Sequence, residues 1–228
     1  TQGIGHTEFK DSPVGRIPIN WNVTTFGDDL DIRSGKAFAF QEYSSQGLKL
    51  LRIDNVSWGE ITWNSIAYLP FYYQEYHPEL VLEEGDILVA LNRPITQGKL
   101  KIARLSNSDI PAILYQRVGK VLLKSERVIK NFSYNWLSFW FFYSLTKNVV
   151  GSDQPFINVS ELRKVKMALP GKDEQQRIAE TLNSLDIHVG ALDKKLIKLS
   201  HLKNSLMQDL LTGRVRVDIE EQKGVAIA

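Results

Sequence analysis

Residues 173–213 read DEQQRIAETLNSLDIHVGALDKKLIKLSHLKNSLMQDLLTG. Ile178, Leu182, Leu185, Val189, Leu192, Leu196, Leu199, Leu206 and Leu210 recur through it at alternating steps of four and three, with Lys203 the one polar member of the series. That is a period of 3.5 held over more than four heptads, the pattern of a helix that packs along another helix rather than of an ordinary core face. Asp173 reads as the N-cap, with Gln176 three residues on as its box partner. Gly213 reads as the residue just past the helix end. About 40 residues at about 1.5 Å each give a helix of roughly 60 Å. Such a seam calls for a partner. Gly190, a weak helix former, and Lys203 either tune its register or are tolerated.

Toward the N-terminus, Pro170-Gly171 is a break, and residues 21–172 read as a globular domain. The expected class is α+β, a mixed α/β domain with a twisted β-sheet followed by one long coiled-coil-forming helix. Residues 1–20 form a polar lead-in and residues 214–228 a tail. Trp21, Val23, Phe26 and Leu30 open the folded part as a short strand and a helical turn. Leu48 to Ile53 and Ile61 to Trp63 read as strands. Glu83-Glu84-Gly85-Asp86 is a sharp turn into Ile87-Leu88-Val89-Ala90-Leu91, a short apolar run that reads as a buried strand. Lys99 to Leu105 and Ala112 to Lys124 follow as strands, the latter broken near Gly119. Ser133 is placed as the cap of a helix from Tyr134 to Lys147, apolar almost all round and therefore buried on several sides. Ser160 to Arg163 reads as a helical turn and Val165 to Leu169 as a last strand.

Charge and composition narrow the function. The 228 residues carry a formal net charge of +2, unevenly spread. Residues 1–85 hold six Lys/Arg against twelve Asp/Glu, while residues 86–130 hold nine against three. A basic middle suits a surface facing a polyanion. There is no cysteine, which excludes disulfides and thiolate metal sites and suits a reducing cytoplasm. No apolar run reaches the roughly 18–20 residues of a membrane span, and Thr1 to Lys10 lacks the apolar core of a signal peptide. No phosphate-binding glycine loop, dinucleotide fingerprint, zinc-protease motif or nucleophile elbow is present. His6, His77, His188 and His201 lack metal-ligand spacing. Glu83, Glu84 and Asp86 cluster, but at a turn where acids are common. The chain reads as a binding protein without a catalytic site of its own.

Several segments together resemble the specificity subunit of type I restriction–modification systems. Phe9-Lys10-Asp11-Ser12-Pro13-Val14-Gly15-Arg16-Ile17-Pro18-Ile19-Asn20-Trp21 is similar to the lead-in of that family's target-recognition domain. Glu84-Gly85-Asp86-Ile87-Leu88-Val89-Ala90 is similar to its Gly-Asp strand motif. Gly151 to Asn158, Val165 to Pro170 and Glu174-Gln175-Gln176-Arg177-Ile178 resemble the approach to its conserved helix. Met207-Gln208-Asp209-Leu210-Leu211-Thr212-Gly213-Arg214-Val215 resembles that helix's end. Gly171-Lys172-Asp173 departs from the Pro/Leu often found there.

The resemblance implies a non-catalytic reader of double-stranded DNA that recognises one half of a split target. It implies methyltransferase subunits using S-adenosylmethionine and restriction subunits using ATP as partners, with magnesium also on those subunits and no cofactor in this chain. The family's usual subunit has two recognition domains and two helices. One of each is expected here, in a natural half-subunit that pairs as a homodimer or in part of a longer protein. Thr1-Gln2-Gly3-Ile4 resembles the linker after a first helical region. Recognition loops vary with the target, so the DNA contacts are expected from chemistry and loop position alone: Arg33, Lys36, Arg52, Asn55, Arg93, Gln97, Lys99, Tyr115, Gln116 and Arg117. The competing reading is a protein–protein adaptor whose helix docks partners and whose basic face is incidental.

Overall fold

The computed structural model describes residues 5–96, 98–148 and 156–216, with the backbone alone over 140–148. Thr1 to Ile4, Gln97, Gly151 to Pro155 and most of the tail lie outside the described residues. The chain divides into two compact units, residues 1–179 and 180–228.

Among its described residues the first unit holds fifteen short strands, four α-helices and three single turns of 3-10 helix, followed by the first turns of a fifth α-helix. The strands are β1 (Phe9–Lys10), β2 (Ile17–Pro18), β3 (Asn22–Thr25), β4 (Leu30–Ser34), β5 (Leu48–Leu51), β6 (Trp58–Gly59), β7 (Tyr68–Leu69), β8 (Val81–Leu82), β9 (Ile87–Ala90), β10 (Ile95–Thr96), β11 (Lys99–Leu100), β12 (Ile102–Arg104), β13 (Ala112–Leu114), β14 (Val118–Leu123) and β15 (Lys166–Leu169). The helices are α1 (Phe26–Asp29), α2 (Tyr73–Tyr76), α3 (Lys130–Asn148), α4 (Val159–Leu162) and α5 (Lys172–Leu211). A five-stranded sheet runs β4-β14-β9-β12-β6, and a four-stranded sheet runs β7-β5-β13-β8. Pairing is antiparallel except for β12 with β6 and β13 with β5. β15 pairs β3, tying the start of the domain to the strand that leads into α5.

β9 shows why its sequence is apolar throughout. Successive side chains of a strand point to opposite faces. Ile87 and Val89 join a core with Phe26, Phe132, Trp136 and Leu137. Leu88 joins a second core with Leu50, Ile113 and Leu114. All four residues of β9 are buried, as expected of a strand covered on both faces.

Several local expectations are corrected. The lead-in is no plain extended segment: β1 and β2 pair as a hairpin. Ile61 to Trp63 is not a strand; Ile61 bridges Val56 alone, and Trp63 Nε1 donates to Asp109 Oδ1 at 2.7 Å. Gly119 does not break its strand but lies inside β14, where a Cβ would stand 2.4 Å from Ile32 Cγ2. The glycine marks a close approach, and the interruption falls at Tyr115–Arg117. Ser133 is no cap, because α3 begins at Lys130 and the Ser133 hydroxyl donates to Lys130 O at 2.7 Å. Within α3, Phe132, Trp136 and Leu137 are buried, but Phe139 is 65% exposed, so the helix keeps a solvent face.

Asp173 is not the N-cap of α5. The Gly171 carbonyl accepts from the Glu174 and Gln175 amides at 3.0 and 2.9 Å, so Asp173 lies in the first turn, where its charge suits the helix dipole. Gln175 is fully buried in unit 1. Its Nε2 donates to Arg127 O at 2.8 Å and Pro170 O at 2.9 Å, and its Oε1 accepts from the Ile129 amide at 3.0 Å. Glu174 holds the lead-in, accepting from Trp21 Nε1 at 2.9 Å and meeting His6 Nε2 at 2.6 Å.

In the second unit α5 ends as expected. Gly213 has φ +72°, and the Arg214 amide reaches back to Asp209 O at 2.9 Å while the Gly213 amide reaches Leu210 O at 3.3 Å. This double closure is a Schellman motif. Leu182, Leu185, Val189, Leu192, Leu196, Leu199, Leu206 and Leu210 are all exposed, Leu192 by 66%. Ile178, expected in this stripe, instead packs half-buried against the first core, so the exposed series starts at Leu182. Leu202, Met207 and Leu211 are exposed as well, which widens the apolar face around Lys203.

Candidate nucleic-acid interface

The strand registers carry most of the expected contact residues to one rim of the first unit. Gly119 pairs Ser34, so the start of β14 lies beside the end of β4. Val118 pairs Ala90, so the same point meets the end of β9. Ile102 pairs both Val89 and Trp58, which brings in the starts of β12 and β6. Leu114 pairs Leu51, and the Tyr115 amide donates to Leu51 O at 3.1 Å, which adds the ends of β13 and β5. Lys36, Arg52, Arg93, Lys99, Tyr115, Gln116 and Arg117 all leave the sheets along this rim.

Gly35 makes the meeting possible. A Cβ there would stand 2.3 Å from Tyr115 O and 2.6 Å from Leu114 O. With glycine the chains pass closely, Lys36 bridges Tyr115, and the Gln116 amide donates to Lys36 O at 3.1 Å. The Tyr115 ring stacks with Phe38 at 6.4 Å between centroids. Burial and a hydrogen bond with Tyr115 push the Tyr43 hydroxyl pKa up.

The expected cations differ in how they are engaged. Arg33, exposed near the end of β4, lies opposite Lys120, and its Nη1 donates to Glu79 O at 3.0 Å. Lys36 Nζ lies 3.0 Å from His77 Nε2. Arg52 is half-buried, with Nη2 donating to the Ser65 hydroxyl at 2.7 Å. Lys99 Nζ sits 5.8 Å from the centre of the Trp58 ring. Arg93 and Arg117 are exposed and take φ of +45° and +66°, the two non-glycine residues with positive φ among those described. Each such residue stores on the order of 1 kcal/mol and persists where its surroundings fix it. Gln97 lies outside the described residues.

Asn55 is removed from the contact set. It is 3% exposed, its Oδ1 accepts from the Arg52 amide at 2.9 Å, and its Nδ2 donates to Thr62 O at 2.9 Å. Its amide shapes the rim loop rather than reaching a ligand. Lys101, which was not foreseen, has a similar role: Nζ donates to Ile53 O at 2.7 Å, and burial lowers its pKa against the opposing pull of Asp54. Beside the rim, Tyr72, Tyr73, Tyr76, His77 and Glu42 line an open cleft of about 540 Å³. Phe40, Phe71, Tyr72 and Tyr76 are exposed aromatics outside the expected contact set; the aromatic-rich run Tyr68 to Tyr76 stands out in the sequence but is ambiguous as to structure.

The acidic turn has a structural explanation. Asp86 is buried, with Lys120 Nζ at 2.6 Å and Lys130 Nζ at 3.3 Å, and it accepts from the Glu83 amide at 2.9 Å. Asp29, also buried, accepts from the Thr24 hydroxyl at 2.7 Å and Arg127 Nε at 3.0 Å. Both carboxylates are neutralised in place. Among the described residues no group of three or more His, Cys, Asp or Glu is arranged to hold a metal ion, and no helix is long and apolar enough to cross a membrane.

Known proteins share this architecture. The type I restriction modification DNA specificity domain matches residues 18–200. The MjaVIII type I restriction enzyme specificity subunit of Methanocaldococcus jannaschii is 43% identical over 219 residues, covering 95% of this chain and 52% of that protein. The EcoAI specificity subunit of Escherichia coli is 30% identical over 196 residues, covering 86% of this chain and 33% of its own length. Among solved structures, the HsdS subunit from Thermoanaerobacter tengcongensis superposes with a TM-score of 0.57 at 19% identity, over 88% of this chain and 47% of that one. The chain thus spans about half the length of the M. jannaschii relative or less for the E. coli one. With its β-rich first unit, its long C-terminal helix and a family match over most of its length, the chain belongs to the type I restriction–modification DNA specificity family.

Proposed function

We propose that the chain is the non-catalytic, DNA-reading part of a type I restriction–modification complex and reads one half of a split duplex target. Residues 21–172 serve as the recognition domain and residues 173–213 as the spacer helix. The observation that carries this reading is the convergence of Lys36, Arg52, Arg93, Lys99, Tyr115, Gln116 and Arg117 on one rim, in a member of a specificity family. Cations that meet phosphates fix register on a duplex, while forked and amide side chains read base edges. Titration of a labelled duplex at several salt concentrations tests it. Affinity should fall linearly in log–log form with salt, at a slope of about 0.9 per phosphate neutralised. Binding that is absent, or indifferent to both salt and sequence, would favour the adaptor reading.

The exposed stripe from Leu182 to Leu210 supports a partner-binding role for α5. A second such helix packs along it antiparallel, either from another copy of this chain or from another segment of a longer chain, and so spaces two recognition domains. Methyltransferase and restriction subunits complete the complex, with S-adenosylmethionine, ATP and magnesium on those partners. Sedimentation of the purified chain tests self-pairing: a dimer is expected, and a monomer at tens of micromolar contradicts it.

A further inference from the structure

Two arginines on the rim differ from every other cation there. Arg93 and Arg117 are exposed, and among the described residues no side-chain hydrogen bond, ion pair or ring contact engages either of them. Arg33, Lys36, Arg52 and Lys99 each have a partner within the domain. The same two arginines hold the left-handed backbone that glycine or asparagine normally fills.

The backbone around both is hydrogen-bonded. Arg117 is the third residue of the turn Tyr115–Val118, closed by the Val118 amide on Tyr115 O at 3.4 Å, and its own carbonyl accepts from the Leu91 amide at 2.8 Å. Arg93 lies two residues after Leu91, whose carbonyl accepts from the Ile157 amide at 2.8 Å, and precedes buried Pro94, whose carbonyl accepts from the Lys101 amide at 2.7 Å. A residue before proline is already restricted, so a left-handed arginine there is held against two preferences. Leu91 thus links the two arginine loops across neighbouring strands. Strands lie about 4.8 Å apart, which puts the two backbones within roughly 10 Å, or about three base-pair steps.

We infer that Arg93 and Arg117 are the specificity-determining pair of the rim, and that the half-site they read contains two guanines within a few base pairs, each met by a guanidinium fork at O6 and N7. This rests on the DNA-reading function proposed above. A free fork on a fixed backbone is the chemistry that recognises guanine in the major groove. The cations already engaged within the domain then act as phosphate contacts, which hold register without reading sequence.

The test uses the full chain, alone and together with the methyltransferase subunit it recruits. Duplexes are selected from a random pool by the wild type and by Arg93→Lys, Arg117→Lys, Lys36→Ala and Lys99→Ala. Lysine keeps the charge and removes the fork. Each arginine variant should lose a guanine preference of roughly 5- to 150-fold at one position, a different one for each, while retaining duplex binding. Lys36→Ala and Lys99→Ala should weaken binding to all sequences alike and leave the motif unchanged. Replacing either guanine by 7-deazaguanine, which pairs normally but lacks N7, should weaken wild-type binding and leave the matching lysine variant unaffected. A wild-type motif kept intact by both arginine variants would overturn the assignment while leaving DNA reading in place. If neither preparation enriches any duplex, DNA reading and the assignment fall together.

Discussion

Gln175 ties the first turn of α5 into the first unit. It is fully buried and satisfies two carbonyls and one amide from two separate segments, residues 127–129 and Pro170. Buried polar groups left without partners cost about 1–3 kcal/mol each. Gln175→Leu should therefore destabilise the first unit by about 2–4 kcal/mol, read as a lower denaturation midpoint in urea. A change within about 0.5 kcal/mol would mean that water replaces the amide. At this scale the sequence was partly legible. The Glu174-Gln175 pair stood out by resemblance, but nothing in it revealed that Glu174 holds His6 and Trp21 while Gln175 turns inward. Arg93 and Arg117 were expected as contacts from their chemistry alone, whereas their left-handed backbones depend on cross-strand bonds invisible to local pattern. Asn55 was misjudged for the same reason. An Asn in a polar loop reads alike whether its amide faces solvent or closes the loop.

Among the elements, the glycines separate what sequence can and cannot give. Gly213 was readable because a left-handed stop follows directly from helix periodicity. Gly119 was not, since glycine signals a turn and a close approach equally, and Ile32 lies far away in sequence. β9 was readable because burial on both faces leaves an unbroken apolar run. Two-residue strands such as β6 and β7 carry no period to detect. Gly35→Ala should force Tyr115 and Lys36 apart at a cost of about 1–3 kcal/mol. The check is hydrogen exchange at the Gln116 amide, which donates to Lys36 O and should lose protection first. Gly190, in mid-helix with no neighbour within 4 Å of a Cβ, is the opposite case. Gly190→Ala should stabilise α5 by up to about 1 kcal/mol and raise the melting temperature of the second unit. A loss of stability would mean that a partner helix needs the space.

For the whole molecule, a β-rich unit and a long helix with an exposed apolar stripe lie on one chain. The seam along α5 was legible residue by residue because a 3.5 repeat survives without knowledge of the partner, and the structure trims it only at Ile178. The widened apolar face at Leu202, Met207 and Leu211 breaks that repeat and escaped notice. Leu192→Glu with Leu196→Glu should abolish self-association in sedimentation while leaving duplex binding by a single unit intact.

The most direct measurement of the central claim is selection of bound DNA from a random duplex pool by the wild-type chain, followed by sequencing. A short half-site should be enriched, repeated in inverted orientation at fixed spacing where two copies pair through α5. A pool that stays random after repeated rounds would contradict it.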